Sequence, residues 1–493
     1  MSEWIQKIDN IIWGPWLLVL LLGTGIYLTV RLRFLDLRNL KYALKCALGW
    51  EKEDRRKECN LSATDKNGPI KKGIMRKNSK RISTGGKSVN KSGKVSSFSS
   101  LTTELAATIG TGNIVGVSTA MVLGGPGALF WMVAASIFGM AIKLVESTLA
   151  VKYRGKNEKG QTAGGPMYVM EKAFPNKKIG HFLAVSFAFF AVFASFGMGN
   201  MTQANSIADA LAVTFRLSKA KSGLIFTVLT ILVVLGGIGI IGKFTQLIVP
   251  LMGIIYMAGT ITVILFHWRN IPMALGGILT AAFSPEAVSG GLFGHVTASV
   301  MDALRWGVSR GIFSNEAGLG AAGISAAAAD TDDYIKQGYI SMTGVFLDTV
   351  IICTATGLAL ATSGVLGTVD EAGNPLTGTA LTLEAFHTVL GDFGECFIGV
   401  CIVLFAFATI IGWAYQGERA FEFLMRGKAK YNLMYRFFYG FVAFAGCVCP
   451  LQIVWDLSDI CNGLMAIPNL ICVLVLSEGI CKEITAREYD RDK

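Results

Sequence analysis

Two short stretches of this chain carry residues whose types and spacing could hold a small charged solute. In residues 106–117, AATIGTGNIVGV, the residues Thr108, Gly110, Thr111, Gly112 and Asn113 interrupt an otherwise apolar run. In residues 310–323, RGIFSNEAGLGAAG, the polar triplet Ser314, Asn315 and Glu316 follows Phe313 and is flanked by glycines. An unwound turn of this kind leaves backbone N–H groups near Gly112 and Asn113 at the positive end of the half-helix that follows, where a carboxylate is favoured. Carbonyls on the other side, near Ala107 and Thr108 or near Ile312 and Phe313, suit an ammonium group or a dehydrated cation. A zwitterion satisfies both ends at once. Thr108 and Thr111 add hydroxyl oxygens, and the Asn113 amide can donate to a carboxylate. Glycine is expected at Gly110 and Gly112 because a Cβ would disfavour positive φ and keep a ligand off the backbone. The competing reading of either stretch alone is tight helix packing by small residues in the GxxxG manner.

The elements that must position these stretches are membrane helices. The chain of 493 residues is 52% hydrophobic and 16% charged, against roughly 25% charged in a typical soluble domain. By a sliding window about eleven runs are apolar and long enough to span: 11–30, 100–123, 128–151, 179–201, 224–242, 247–268, 296–328, 339–360, 393–424, 431–448 and 457–476. The first is too long and wrongly flanked for a cleaved signal peptide. In hydrocarbon a broken helix is tolerated only where it is buried in protein or lines a cavity. The two breaks fall in the second and seventh runs, an odd number of spans apart, so the two broken helices cross in opposite directions. Discontinuous helices in corresponding positions of two inverted halves are the expected setting of a midplane binding site.

Basic clusters lie in 31–94, 152–160, 426–430 and 482–493, whereas 363–396 has no Lys or Arg. Because basic loops stay on the cytoplasmic side, the N-terminus is expected outside and the C-terminus inside. The expected organisation is an N-terminal peripheral helix over 1–30, a basic and largely disordered cytoplasmic loop over 31–99, a first repeat over 100–268, an extracellular loop over 269–295, a second repeat over 296–478 and a cytoplasmic tail over 479–493. The formal charge of +11 is accounted for by these loops, which disfavours nucleic acid as a partner and points to the lipid bilayer.

Other chemistries find little support. The ten cysteines form no metal-type CxxC pair, and the four histidines form no HExxH. GTGNIVG has the wrong spacing for a dinucleotide loop and no soluble strand before it. No catalytic set can be assembled at membrane depth and no organic cofactor is implied. A channel would need rings of carbonyls or charges. Among intramembrane charges, Glu316 could neutralise a cation, pair with Arg310 or carry a proton. Glu104, Glu146 and Asp348 read as structural partners or gate elements, and Lys143 and Glu146 are spaced to pair on one helix face.

The stretches TELAATIGTGNIVGVSTA (103–120), GGPGALFWMVAASIFGMAIKLVE (124–146), TAGGPMYVMEK (162–172), RGIFSNEAGLGAA (310–322) and ATIIGWAYQGERAFEFL (408–424) closely resemble the alanine or glycine:cation symporter family. The resemblance covers essentially the whole chain outside 51–99. It implies an all-α membrane protein of a prokaryotic cell membrane, with a LeuT-type 5+5 inverted repeat preceded by one peripheral helix. It also implies secondary-active uptake of a small neutral amino acid, alanine or glycine, driven by Na+.

Carried over by motif, Asn113 and Gln203 resemble the family's partners for the substrate carboxylate. Thr409 and Trp413, one turn apart, resemble pocket residues, with the indole limiting side-chain size. The family pattern has Ser where this chain has Ala408, so a sodium site between the second and ninth spans must draw on Thr409 and on backbone carbonyls near Ala106 and Ala107, or on water. The alternatives within the same fold are coupling to H+ and a preference for glutamine.

Overall fold

The computed structural model describes residues 2–50, 94–284 and 299–491, and within these the chain is almost entirely helical. Residues 51–93 of the basic loop and 285–298 of the loop after the sixth run lie outside the described residues. Among the described residues, six helical stretches are long and apolar enough to cross a membrane: Gly127–Lys152, Lys177–Phe215, Gly237–Phe266, Tyr334–Ser363, Asp392–Leu424 and Val454–Tyr489. The chain is an all-α membrane protein. The apolar helix Pro15–Arg31 precedes them, and Lys219–Leu235 and Asn432–Val448 pack against each other at the periphery.

The two glycine-rich stretches are real breaks. The first helix runs Ser97–Thr108, capped by the Ser96 hydroxyl, which accepts from the Ser99 N–H at 3.1 Å. It gives way to a single tight turn, Thr111–Asn113, and resumes over Val115–Leu123. The second runs Val300–Asn315 from a Ser299–Asp302 capping box and stops where Glu316 turns left-handed at φ 58°. Gly318 and Gly320 continue the reversal at φ 88° and 80° before the short helix Ala321–Ala326. Both breaks are buried, as a break at membrane depth requires.

Two further irregularities are invisible in the apolar pattern. Gly197–Met201 and Phe346–Cys353 are π-helical turns, each inserted in an otherwise regular helix. A π-turn shifts the register of the side chains after it and is common at functional sites. Here the first sets the direction of Gln203 and the second contains Asp348 and Thr349.

The stretches 269–295 and 31–99, expected as loops, contain structure, and so does 363–396 between two of the expected spans. Within 269–295 the helix Ile271–Phe283 forms, and within 363–396 the helix Gly378–Leu390 forms; at 13 residues each, both are too short for a spanning window. Gly378–Leu390 lies on the trailing half of the first broken helix, where the Ser118 hydroxyl donates to the Gly378 carbonyl at 2.8 Å. Within 31–99, residues Leu35–Arg38 and Leu40–Ala47 are helical, and the helix Ser97–Thr108 already includes residues 97–99.

Candidate functional site

The residues singled out in the two breaks converge. A Cβ added at Gly112 would lie 3.0 Å from Ser314 Cα, so the first break packs on the second with no room for a side chain. A Cβ at Gly110 would lie 2.2 Å from Thr409 Oγ1, and one at Gly199 would lie 2.4 Å from Trp413. Four elements therefore meet: both breaks, the π-turn before Gln203, and the helix Asp392–Leu424. Every one of Thr108, Gly110, Thr111, Gly112, Asn113, Gln203, Phe313, Ser314, Asn315, Glu316, Thr409 and Trp413 is buried.

The reason for glycine differs from the one expected. Gly110 has φ −140°, and neither it nor Gly112 is among the residues with positive φ. Glycine is required here by close approach and not by a left-handed backbone.

Side chains take over the backbone groups that the first break releases. The Gly110 N–H donates to Asn113 Oδ1 at 2.9 Å, and the Thr111 N–H donates to Gln203 Oε1 at 3.1 Å. Gln203 Oε1 also accepts from the Thr111 hydroxyl at 2.9 Å, while its Nε2 is anchored to the Met198 carbonyl inside the π-turn at 3.0 Å. In a continuous helix the Gly110 and Thr111 amides would donate to the Ala106 and Ala107 carbonyls. Those two carbonyls have lost these donors. Gly412 packs directly on Ala107, where a Cβ would lie 2.7 Å from the backbone nitrogen. The donor set of Ala106 and Ala107 carbonyls with the Thr409 hydroxyl, itself 3.5 Å from the Ile109 carbonyl, is thus all oxygen and fits a hard monovalent cation. Thr108 does not join it: its hydroxyl turns back to the carbonyls of Glu104 and Leu105, both at 3.3 Å.

Asp348, read from the sequence as a structural partner or gate element, is a partner to both breaks. Its Oδ1 accepts from Asn113 Nδ2 at 2.8 Å, and its Oδ2 accepts from the hydroxyls of Ser314 at 2.8 Å and Thr349 at 2.7 Å. One carboxylate so gathers both breaks. Asn315 Nδ2 donates to Thr349 Oγ1 at 3.0 Å, and its Oδ1 accepts from the Ala317 N–H at 2.9 Å, closing the second break.

Arg310 and Lys143 take partners other than those their spacing offered. Arg310 makes a two-pronged contact with Asp459, at 3.1 and 2.7 Å, not with Glu316. Its guanidinium lies 4.6 Å from the Trp455 ring, which in turn stacks on Phe313 at 4.9 Å. Lys143 pairs with Glu104 at 3.4 Å, while the neighbouring Glu146 accepts from Asn469. The sequence hid these partners because they come from helices far along the chain. Glu316 itself has both carboxylate oxygens buried without a hydrogen-bond donor in bonding geometry among the described residues, and the buried Trp413 Nε1–H has no acceptor there.

The model of the sodium:alanine symporter family matches residues 1–64 and 70–493. The chain belongs to the sodium:alanine symporter family. The symporter is a multi-pass membrane transporter and not an enzyme. It is 42% identical over 485 residues to the sodium/alanine symporter AgcS of Methanococcus maripaludis, covering 98% of this chain and 96% of that protein. It is 34% identical to the probable sodium/glutamine symporter GlnT of Bacillus subtilis, over 98% of this chain and 90% of that one. It is 30% identical to the putative sodium/proton-dependent alanine carrier protein YrbD of the same organism, over 100% of this chain and 93% of that one.

Proposed function

We propose that the symporter imports alanine or glycine together with Na+, by alternating access around the two broken helices. The observation that carries this reading is the convergence of Gly110, Gly112 and Asn113 of one break with Ser314 of the other, closed over by Gln203, Thr409 and Trp413. In this reading Asn113, Gln203 and the backbone from Gly110 to Gly112 receive the substrate carboxylate. Thr111, Phe313, Ser314 and Asn315 form the wall beside it. The Trp413 indole, buried against Gly199, leaves space only for a short side chain.

Sodium is held by the carbonyls of Ala106 and Ala107 and the hydroxyl of Thr409, the group left without the amide donors of Gly110 and Thr111. Substrate and ion then favour the same closed arrangement, and each must tighten the other by the same factor. The identity to AgcS over nearly the whole length of both chains supports this pairing of ligand and ion. The reading includes a LeuT-type 5+5 repeat of about ten helices after one peripheral helix, with the N-terminus outside and the C-terminus cytoplasmic.

A second reading, coupling to protons, is favoured by Glu316, whose oxygens are buried in the site without a hydrogen-bond donor among the described residues. Uptake of labelled alanine, glycine and glutamine into proteoliposomes, with sodium and pH gradients imposed separately, tests both. Alanine or glycine accumulation on a sodium gradient at equal pH is the expected result. Accumulation that follows only the pH gradient overturns the sodium reading, and modification of the solute in place of its exchange overturns transport.

A further inference from the structure

Lys143 lies in the middle of the unbroken helix Gly127–Lys152 with no exposed surface. Its ammonium donates to the Asn315 carbonyl at 2.9 Å, at the residue that ends the first half of the second broken helix. The same ammonium stands 3.4 Å from the Glu104 carboxylate, in the first half of the other broken helix. One side chain therefore bridges the two interrupted helices. Glu146, Glu316 and Asp348 are further buried carboxyl groups on which the same ammonium acts through space. The Trp413 indole of the proposed pocket faces Glu316, outside hydrogen-bond geometry.

Buried charge without compensation is expensive, and the carbonyl end of a half-helix carries the negative end of its dipole. Both facts call for a cation between the breaks. The chain supplies one on a rigid helix.

We infer that Lys143 is a tethered cation that fills, between the two broken helices, the place a second coupling ion would take, so that one sodium ion accompanies each amino acid. This rests on the sodium-coupled reading above. The ion held near Ala106, Ala107 and Thr409 is then the only mobile cation of the cycle. Lys143 acts as a positioning residue, through Asn315 and Glu104, and not by touching the substrate.

The test uses the full-length protein in proteoliposomes, with the membrane potential held at zero by potassium and valinomycin. With one ion per alanine, the steady accumulation ratio rises in proportion to the sodium gradient; with two it rises as the square. Proportional accumulation and a hyperbolic sodium activation curve are expected of the wild type. In Lys143→Met a mobile ion must fill the lost position, so sodium activation turns sigmoidal and its half-maximal concentration rises by about tenfold. Lys143→Arg keeps the hyperbolic curve. The double variant Glu104→Gln with Lys143→Met, which removes both members of the pair, guards against a misfolded single variant.

A square dependence in the wild type overturns the inference alone. So does a Lys143→Met protein with an unchanged hyperbolic curve. Absence of all sodium-driven accumulation in the wild type overturns the sodium reading as well. If no variant folds, the wild-type accumulation ratio still decides.

Discussion

Asn113 Nδ2 donates to Asp348 Oδ1 at 2.8 Å, and Asn113 Oδ1 accepts from the Gly110 N–H at 2.9 Å. One side chain thus caps the first break from within and ties it to the π-turn of the helix Tyr334–Ser363. Because Nδ2 already donates to Asp348 and Cys353, a substrate carboxylate bound as proposed above would compete with them for its N–H groups.

Asn113→Ala removes both bonds together with the Nδ2 contacts to the Asp348 carbonyl at 3.1 Å and Cys353 Sγ at 3.3 Å, and leaves the buried Gly110 N–H without an acceptor and a carboxylate oxygen short of a donor. A lost hydrogen bond to a charged group costs about 2 kcal/mol, or roughly thirtyfold in half-saturation. Labelled alanine uptake at fixed sodium should show at least that loss, with the protein still monodisperse in detergent. Wild-type uptake by this variant would remove Asn113 from the site.

Asp348→Asn keeps the shape of the side chain but removes its charge and one acceptor. The donors now divided between its two oxygens, Asn113 Nδ2 on Oδ1 and the hydroxyls of Ser314 and Thr349 on Oδ2, must then share one oxygen, with an NH2 group facing whichever donor is left over. The expected outcome is a half-maximal sodium concentration raised by about tenfold, with a smaller change in maximal rate. Sodium activation curves of the two proteins, measured side by side, give the answer.

Gly110→Ala places a methyl group 2.2 Å from Thr409 Oγ1 and 3.2 Å from Gln203 Oε1, so uptake should be abolished. Gly116→Ala is the matched control: its nearest neighbour would be the Thr111 carbonyl at 3.8 Å, and transport should survive. Equal uptake by the two variants would refute the close approach of the breaks to the helix Asp392–Leu424.

Trp413→Ala opens the space beside Gly199. Glutamine uptake relative to alanine should rise by at least about tenfold, the scale on which an apolar pocket discriminates by size. Competition of unlabelled glutamine against labelled alanine measures it. A ratio that does not move would place the indole outside the specificity pocket.

The residues of the two breaks were legible in the linear chain because glycine, threonine, asparagine and a carboxylate have no business on a lipid-facing helix. Gln203 and Trp413 were legible only through resemblance, since a lone glutamine or tryptophan in an apolar run has several ordinary uses. Asp348 reads along the chain as a structural partner or gate element, but its partners, Asn113 and Ser314, lie on two other helices and are visible only in the fold. The partner of Arg310 was hidden for the same reason: Asp459 is 149 positions away, whereas Glu316, one of the partners open to it in the linear chain, lies behind a reversal of the backbone.

What the amino-acid order determined by itself was the solvent and the faults: a chain built for lipid, with two helices that could not run unbroken. Periodicity and hydropathy are local properties, so they mark where a helix must stop. Which groups take over the freed amides, where the π-turns insert an extra residue, and that one lysine joins both breaks were decided by packing. Those contacts exist only when helices distant along the chain are brought within hydrogen-bond range, in an interior where a polar group without a partner is penalised.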